Sequence, residues 1–100
     1  MQRSVREFVR KYNLACGYQV RYMDLVSEVG EVGKELIKGS GYGKRMYRNT
    51  PETQDELGDC IFSLLALCEE LGVDAEAALE GALGKYEKRF AEKADIGSGQ

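Results

Sequence analysis

Histidine is absent from this sequence of 100 residues. Its absence excludes a Ser-His or Cys-His nucleophile pair and a His-ligated zinc centre. Any hydrolytic chemistry must come from carboxylates, hard cations, Lys or Tyr. No apolar run approaches the roughly 20 residues of a spanning helix, so no membrane partner is expected. The first residues carry Arg3, Arg6 and Glu7 in place of a secretory apolar core, and the cytoplasm is the expected compartment. Cys16, Cys60 and Cys68 are three in number, irregularly spaced and without C-x-x-C. They read as buried free thiols and not as a disulfide framework. The phosphate-cradling G-x-x-x-x-G-K-[ST] loop is missing. With a net charge of −3, the molecule as a whole does not suggest a stable nucleic-acid partner.

What is present favours helix. Ala, Leu, Glu and Lys are plentiful and proline occurs once, while no alternating strand pattern appears. The length implies one domain. A chain this short buries only about 60–70% of its unfolded surface, so help from a partner subunit is expected. Four segments carry helical periodicity. The first begins near Ser4, where Ser4 and Glu7 read as a capping box and Val5, Phe8, Val9 and Tyr12 line one face; Gly17 is its expected end. The second runs from about Val20 to Lys38, with Tyr22, Leu25, Val26, Val29, Val32, Leu36 and Ile37 as its apolar stripe. Gly39, Gly41 and Gly43 then break it. The third opens with Thr50 as N-cap and Pro51 at the first helical position. Its stripe is Leu57, Ile61, Leu64, Leu65, Cys68 and Leu71, and Gly72 closes it. The fourth follows Asp74 and continues to about Lys93, with Leu79, Leu83, Tyr86 and Phe90 on one face. Residues 1–93 thus form the expected domain and 94–100 a flexible tail. Short connections favour antiparallel neighbours, hence an all-α antiparallel bundle of about four helices.

The second helix places Asp24, Glu28, Glu31 and Glu35 in one strip, at spacings of four, three and four. Like charges at such spacing destabilise an isolated helix by roughly 0.2–0.5 kcal/mol per pair. Glu56 and Asp59 repeat the theme on the third helix. If the two helices pack as antiparallel neighbours, Glu28 and Glu31 face Glu56 and Asp59. Unpaired, four such carboxylates raise one another's pKa, and a hard divalent cation relieves them. Spacing alone leaves a second reading open, a merely solvated acidic face.

The stretch SEVGEVGKE (Ser27 to Glu35), followed by DELGD (Asp55 to Asp59), resembles the E-x-x-E … E-x-x-D signature of the MazG-like, all-α NTP pyrophosphatase superfamily. Twenty-four residues separate Glu31 from Glu56. The apolar CIFSLLALCEELG, then VDAEAAL and KYEKRF, extend the likeness over roughly residues 20–90. The resemblance implies that Glu28, Glu31, Glu56 and Asp59 are both the catalytic set and the metal ligands. It implies Mg²⁺ as the ion, with Mn²⁺ as a substitute. It also implies attack of water on the α-phosphorus of a nucleoside triphosphate, releasing monophosphate and pyrophosphate, as in the house-cleaning of non-canonical nucleotides. Lys85 and Arg89 match basic positions on the family's last helix and are expected to hold phosphates. Lys44, Arg45 and Arg48, interleaved with Tyr42 and Tyr47 in the Gly-rich linker, are candidate substrate contacts. Many relatives carry a second acid just ahead of the first motif, where this chain has Ser27; that leaves the number of metal ions open. A homodimer or homotetramer is the assembly the resemblance implies, and Gly30 and Gly33 are places where a neighbouring helix could come close. Three rival readings are a phosphoribosyl-ATP pyrophosphohydrolase-like enzyme, a non-catalytic helical interaction module and a nucleotide sensor without turnover.

Overall fold

In the computed structural model, which describes residues 1–98 and side chains through residue 94, the chain forms four α-helices. These are α1 (Gln2–Lys11), α2 (Tyr18–Gly39), α3 (Pro51–Leu71) and α4 (Ala75–Ser98). No strand occurs among the described residues, and the all-α expectation holds.

The helix ends follow from local chemistry. α1 starts earlier than its capping box suggested. The Met1 carbonyl accepts the first helical bond, from the Val5 N–H at 3.3 Å, so Ser4 lies inside the helix. It also ends before Gly17: Asn13 turns into the left-handed region at φ 54, and Gly17 serves instead as the N-cap of α2. At α3 the expected cap is present. The Thr50 Oγ1 accepts the Thr53 N–H at 3.2 Å ahead of Pro51, satisfying one of the free amides of the first turn. Gly72 closes α3 at φ 66, a conformation that favours a residue without Cβ. Asp74 Oδ1 then accepts the Ala77 N–H at 3.2 Å and starts α4. α4 continues past Lys93 to Ser98, so residues 94–98 of the expected tail are helical; residues 99–100 lie outside the described residues.

α2 and α3 pair lengthwise. Arg21 sits over the Phe62 ring while Glu28 meets Glu56, so α2 rises as α3 falls and the two are antiparallel. α1 lies across the C-terminal half of α3. Arg6 Nε donates to Glu69 at 2.7 Å, and the Gln2 amide donates to Glu69 at 2.7 Å and to the Val73 carbonyl at 2.8 Å. The same Gln2 accepts the first N–H of α4, from Ala75, at 2.8 Å. One side chain therefore ties α1, the end of α3 and the start of α4 together.

The core is small: Val5, Leu65 and Ala66 are buried, with Val9, Phe62 and Ala75 against them. Much of the three apolar stripes expected inside lies outside. On α2, the face toward α3 is Arg21, Leu25, Glu28, Val32, Glu35 and Gly39, spaced four, three, four, three and four, whereas Tyr22, Val26, Val29 and Ile37 are exposed. On α3, Leu57, Ile61 and Leu64 are exposed; on α4, Leu79, Leu83, Tyr86 and Phe90 are. The bundle of one chain is thus three helices, with α4 projecting from its end. The cysteines are free, as expected, but half-buried instead of buried.

Candidate metal centre

The face of α2 turned toward α3 alternates acid with small or apolar residues, and this brings charge into the helix–helix seam. Glu28, Glu56 and Asp59 each offer a carboxylate oxygen, all three within 4.8 Å of one another. Glu28 and Glu56 are half-buried and Asp59 is exposed. The cluster is therefore walled by two helices and open on the Asp59 side. Glu31 lies outside this trio, on the exposed side of α2, yet its field reaches Glu56. Glu56 takes its proton more readily than the usual 4.5: partial burial is the first cause, followed by the charges of Asp59, Glu31, Glu28 and Glu35. The neighbouring Cys60 thiol is pushed above its ordinary 9.0 by burial, then by Glu28, Asp59 and Glu56. It stays protonated, which removes it as a nucleophile.

An all-oxygen donor set on two rigid helices suits a hard divalent cation that keeps several waters. No lysine or arginine pairs with Glu28, Glu56 or Asp59 among the described residues, so their mutual repulsion is uncompensated by protein. The residues fit a metal.

Glu35 has a basic partner on its own helix, Lys38 at 3.6 Å. Asp24 is exposed and stands 4.0 Å from Arg21. Arg21 was not singled out by sequence reasoning, though it shares the helical register of Glu28 and Glu35. It is 7% exposed, donates to the Leu14 carbonyl at 2.6 Å and leaves its buried Nε unpaired. Its guanidinium stands 5.8 Å from the Phe62 ring, on the α3-facing side of α2.

The basic candidates are placed less uniformly. Arg45 folds back on α2, donating to the Gly39 carbonyl at 3.1 Å and toward that of Lys38 at 3.5 Å. That is a favourable place for a cation, at the negative end of the helix. The Arg48 N–H also bonds the Gly39 carbonyl, at 3.1 Å, and Tyr47 Oη reaches Asn49 at 2.8 Å and Thr53 at 3.1 Å. The linker is consequently stapled to both helices. Lys38, Arg45, Arg48 and Thr50 line a pocket there together with Glu35, whose charge reaches Glu56. Lys44 is exposed. Lys85 and Arg89 sit on the projecting α4, with Arg89 5.8 Å from the Tyr86 ring; neither forms an ion pair among the described residues.

A family model, the MazG nucleotide pyrophosphohydrolase domain, matches residues 19–92. The chain belongs to the MazG family. No curated protein and no solved structure matches it. The matched span starts in α2, so the MazG region comprises the carboxylate-bearing pair α2–α3 together with most of α4, while α1 lies outside it. No helix among the described residues is long and apolar enough to cross a membrane.

Proposed function

We propose that this MazG chain is a Mg²⁺-dependent nucleoside triphosphate pyrophosphohydrolase, and that Mn²⁺ can replace Mg²⁺. The single observation that carries the reading is the convergence of Glu28, Glu56 and Asp59 in the α2–α3 seam; membership of the family supplies the reaction class. Glu28, Glu56 and Asp59 hold the ion, and Glu31 completes the acidic set from the rim. A divalent cation held there polarises phosphoryl oxygens, acidifies water and neutralises a leaving polyphosphate.

The remaining work belongs to the chain. A water oxygen bonds to the α-phosphorus, the bond from that phosphorus to the α–β bridging oxygen breaks, and pyrophosphate departs. The water's proton passes to a carboxylate of the set. Lys85 and Arg89 bind the β- and γ-phosphates. Lys44 and Arg48 meet the substrate from the linker, whose conformation Arg45 holds. The products are a nucleoside monophosphate and pyrophosphate, as suits cytoplasmic removal of non-canonical nucleotides by an assembly of identical chains.

The test is a panel of canonical and modified nucleoside triphosphates with Mg²⁺ or Mn²⁺, read by pyrophosphate release. Turnover of at least one member is expected. Phosphate release without pyrophosphate, or no release from any member, overturns the reading; in the second case metal binding without turnover would point to a nucleotide sensor.

A further inference from the structure

The linker between α2 and α3 closes over a pocket of about 350 Å³ at one end of the helix–helix seam. That is within the roughly 300–1,000 Å³ usual for small-ligand sites. Glu35 and Lys38 of α2, Arg45, Arg48 and Asn49 of the linker and Glu52 of α3 line it. Helix geometry sets its place relative to the carboxylate trio. Glu35 follows Glu28 by seven residues and Glu52 precedes Glu56 by four, so the pocket lies about 6–10 Å along the seam from the trio. Glu35 belongs to its wall, and the charge of Glu35 reaches Glu56. In the other direction the seam is filled, since Arg21 is 7% exposed and stands 5.8 Å from the Phe62 ring. A nucleotide whose α-phosphorus sits at the trio therefore finds room for its base at the linker end, one sugar away.

The lining does not suit a phosphate. Glu35 and Glu52 repel an anion, Lys38 is paired with Glu35 at 3.6 Å, and Arg45 donates to the Gly39 carbonyl and toward that of Lys38. What remains is of mixed polarity. Arg48 and Glu52 are exposed and form no ion pair among the described residues. Asn49 accepts the Tyr47 hydroxyl through Oδ1 at 2.8 Å, which leaves its amide NH₂ to donate. A group that carries donors and acceptors side by side matches such a wall better than one that only accepts.

We propose that this pocket is a base subsite selective for 6-oxopurines, guanine above all, with Arg48 on the carbonyl edge and Glu52 on the ring N–H. Arginine donates in bidentate fashion to O6 and N7 of guanine. On the adjoining edge N1–H and the 2-amino group donate, and a carboxylate accepts both. Hypoxanthine keeps O6, N7 and N1–H and loses only the 2-amino contact. Adenine presents the reverse polarity, an amino group toward Arg48 and a bare N1 toward Glu52, and leaves both charged groups unmatched. The assignment rests on the pyrophosphohydrolase reading, which puts the α-phosphorus at the trio.

Binding tests it without turnover. Titration calorimetry with Mg²⁺ uses the α,β-methylene analogues of GTP and ATP, in which carbon replaces the bridging oxygen and blocks cleavage. The unaltered chain should bind the guanine analogue about 10-fold or more tighter than the adenine analogue, the scale of one bidentate base contact. Arg48→Met and Glu52→Gln should each narrow the difference, and the double variant should erase it, with α-helical circular dichroism retained. Equal binding of the two analogues by the unaltered chain, or none, overturns the proposal, as does a guanine preference that the double variant keeps. Pyrophosphate release from GTP and ATP reports separately on the reaction. Turnover without base preference removes the base subsite and leaves the reaction; guanine-selective binding without turnover of any triphosphate does the reverse.

Discussion

Glu56 links the stability of the fold to the proposed metal site. Its folded-state pKa lies above the ordinary 4.5, so without metal the fold loses stability as pH rises from 4.5 through that raised value. Glu56→Gln removes this cost. In calorimetric melting without metal, the variant should therefore melt higher than the parent at pH 7 and alike at pH 4. If the ion binds as proposed, adding Mg²⁺ should invert the order, because the variant has lost a ligand. Glu56→Gln together with Asp59→Asn should weaken Mg²⁺ binding by more than about 100-fold in isothermal titration, beyond what loss of an outer partner costs. The closeness of Glu28, Glu56 and Asp59 was readable because Glu28 shares the helical register of the α3-facing side and E-x-x-D sets Glu56 and Asp59 one turn apart, whereas Glu31 falls outside the trio. Arg21 was not, since a single arginine among apolar neighbours reads as solvated until the seam shows it 7% exposed.

At the scale of elements, the carboxylates keep their register because the ends of α2 and α3 are pinned. Thr50→Ala removes the α3 cap and should cost about 1 kcal/mol in denaturant unfolding. Gly39 has the Tyr47 ring against it closely enough that an added Cβ would collide with the ring and press the Arg48 carbonyl at 3.0 Å. Gly39→Ala should cost about 1–3 kcal/mol and loosen the linker, visible as faster hydrogen exchange over residues 40–50. At the other end, Glu69 holds Arg6 and Gln2, and the Arg6 hydrogen bond keeps its carboxyl below the ordinary 4.5. Its contribution is complete above pH 4.5 and disappears as pH falls through the lower folded value. Glu69→Gln should lower the melting temperature at pH 7 and make no difference near pH 2. Caps with a side-chain acceptor, Thr50 and Asp74, were legible in the sequence, and so was the glycine end at Gly72. The start of α1 was not, because Met1 caps with its backbone alone and leaves no residue-type signal.

Over the whole molecule, helical periodicity located all four helices and found Val5, Val9 and Leu65 of the core, but it drew the stripes of α2, α3 and α4 wider than the buried face. Tyr22, Val26 and Val29 on α2 repeat as a buried stripe would, yet they face outward, because the period of apolar residues alone does not say which side of a helix meets its neighbour. If identical chains assemble as proposed, thermal stability should rise with protein concentration, by several degrees per tenfold, whereas a self-sufficient monomer would show none.

The elbow between α3 and α4 is only Gly72, Val73 and Asp74, and Gln2 clamps it from one side. That shortness decides more than an angle. A helix with one apolar face has two ways to hide it, in its own molecule or in a twin, and a taut hinge favours the twin. Lengthening the elbow by a few Gly-Ser residues should let the helix turn home, and small-angle scattering should then report a smaller, rounder particle.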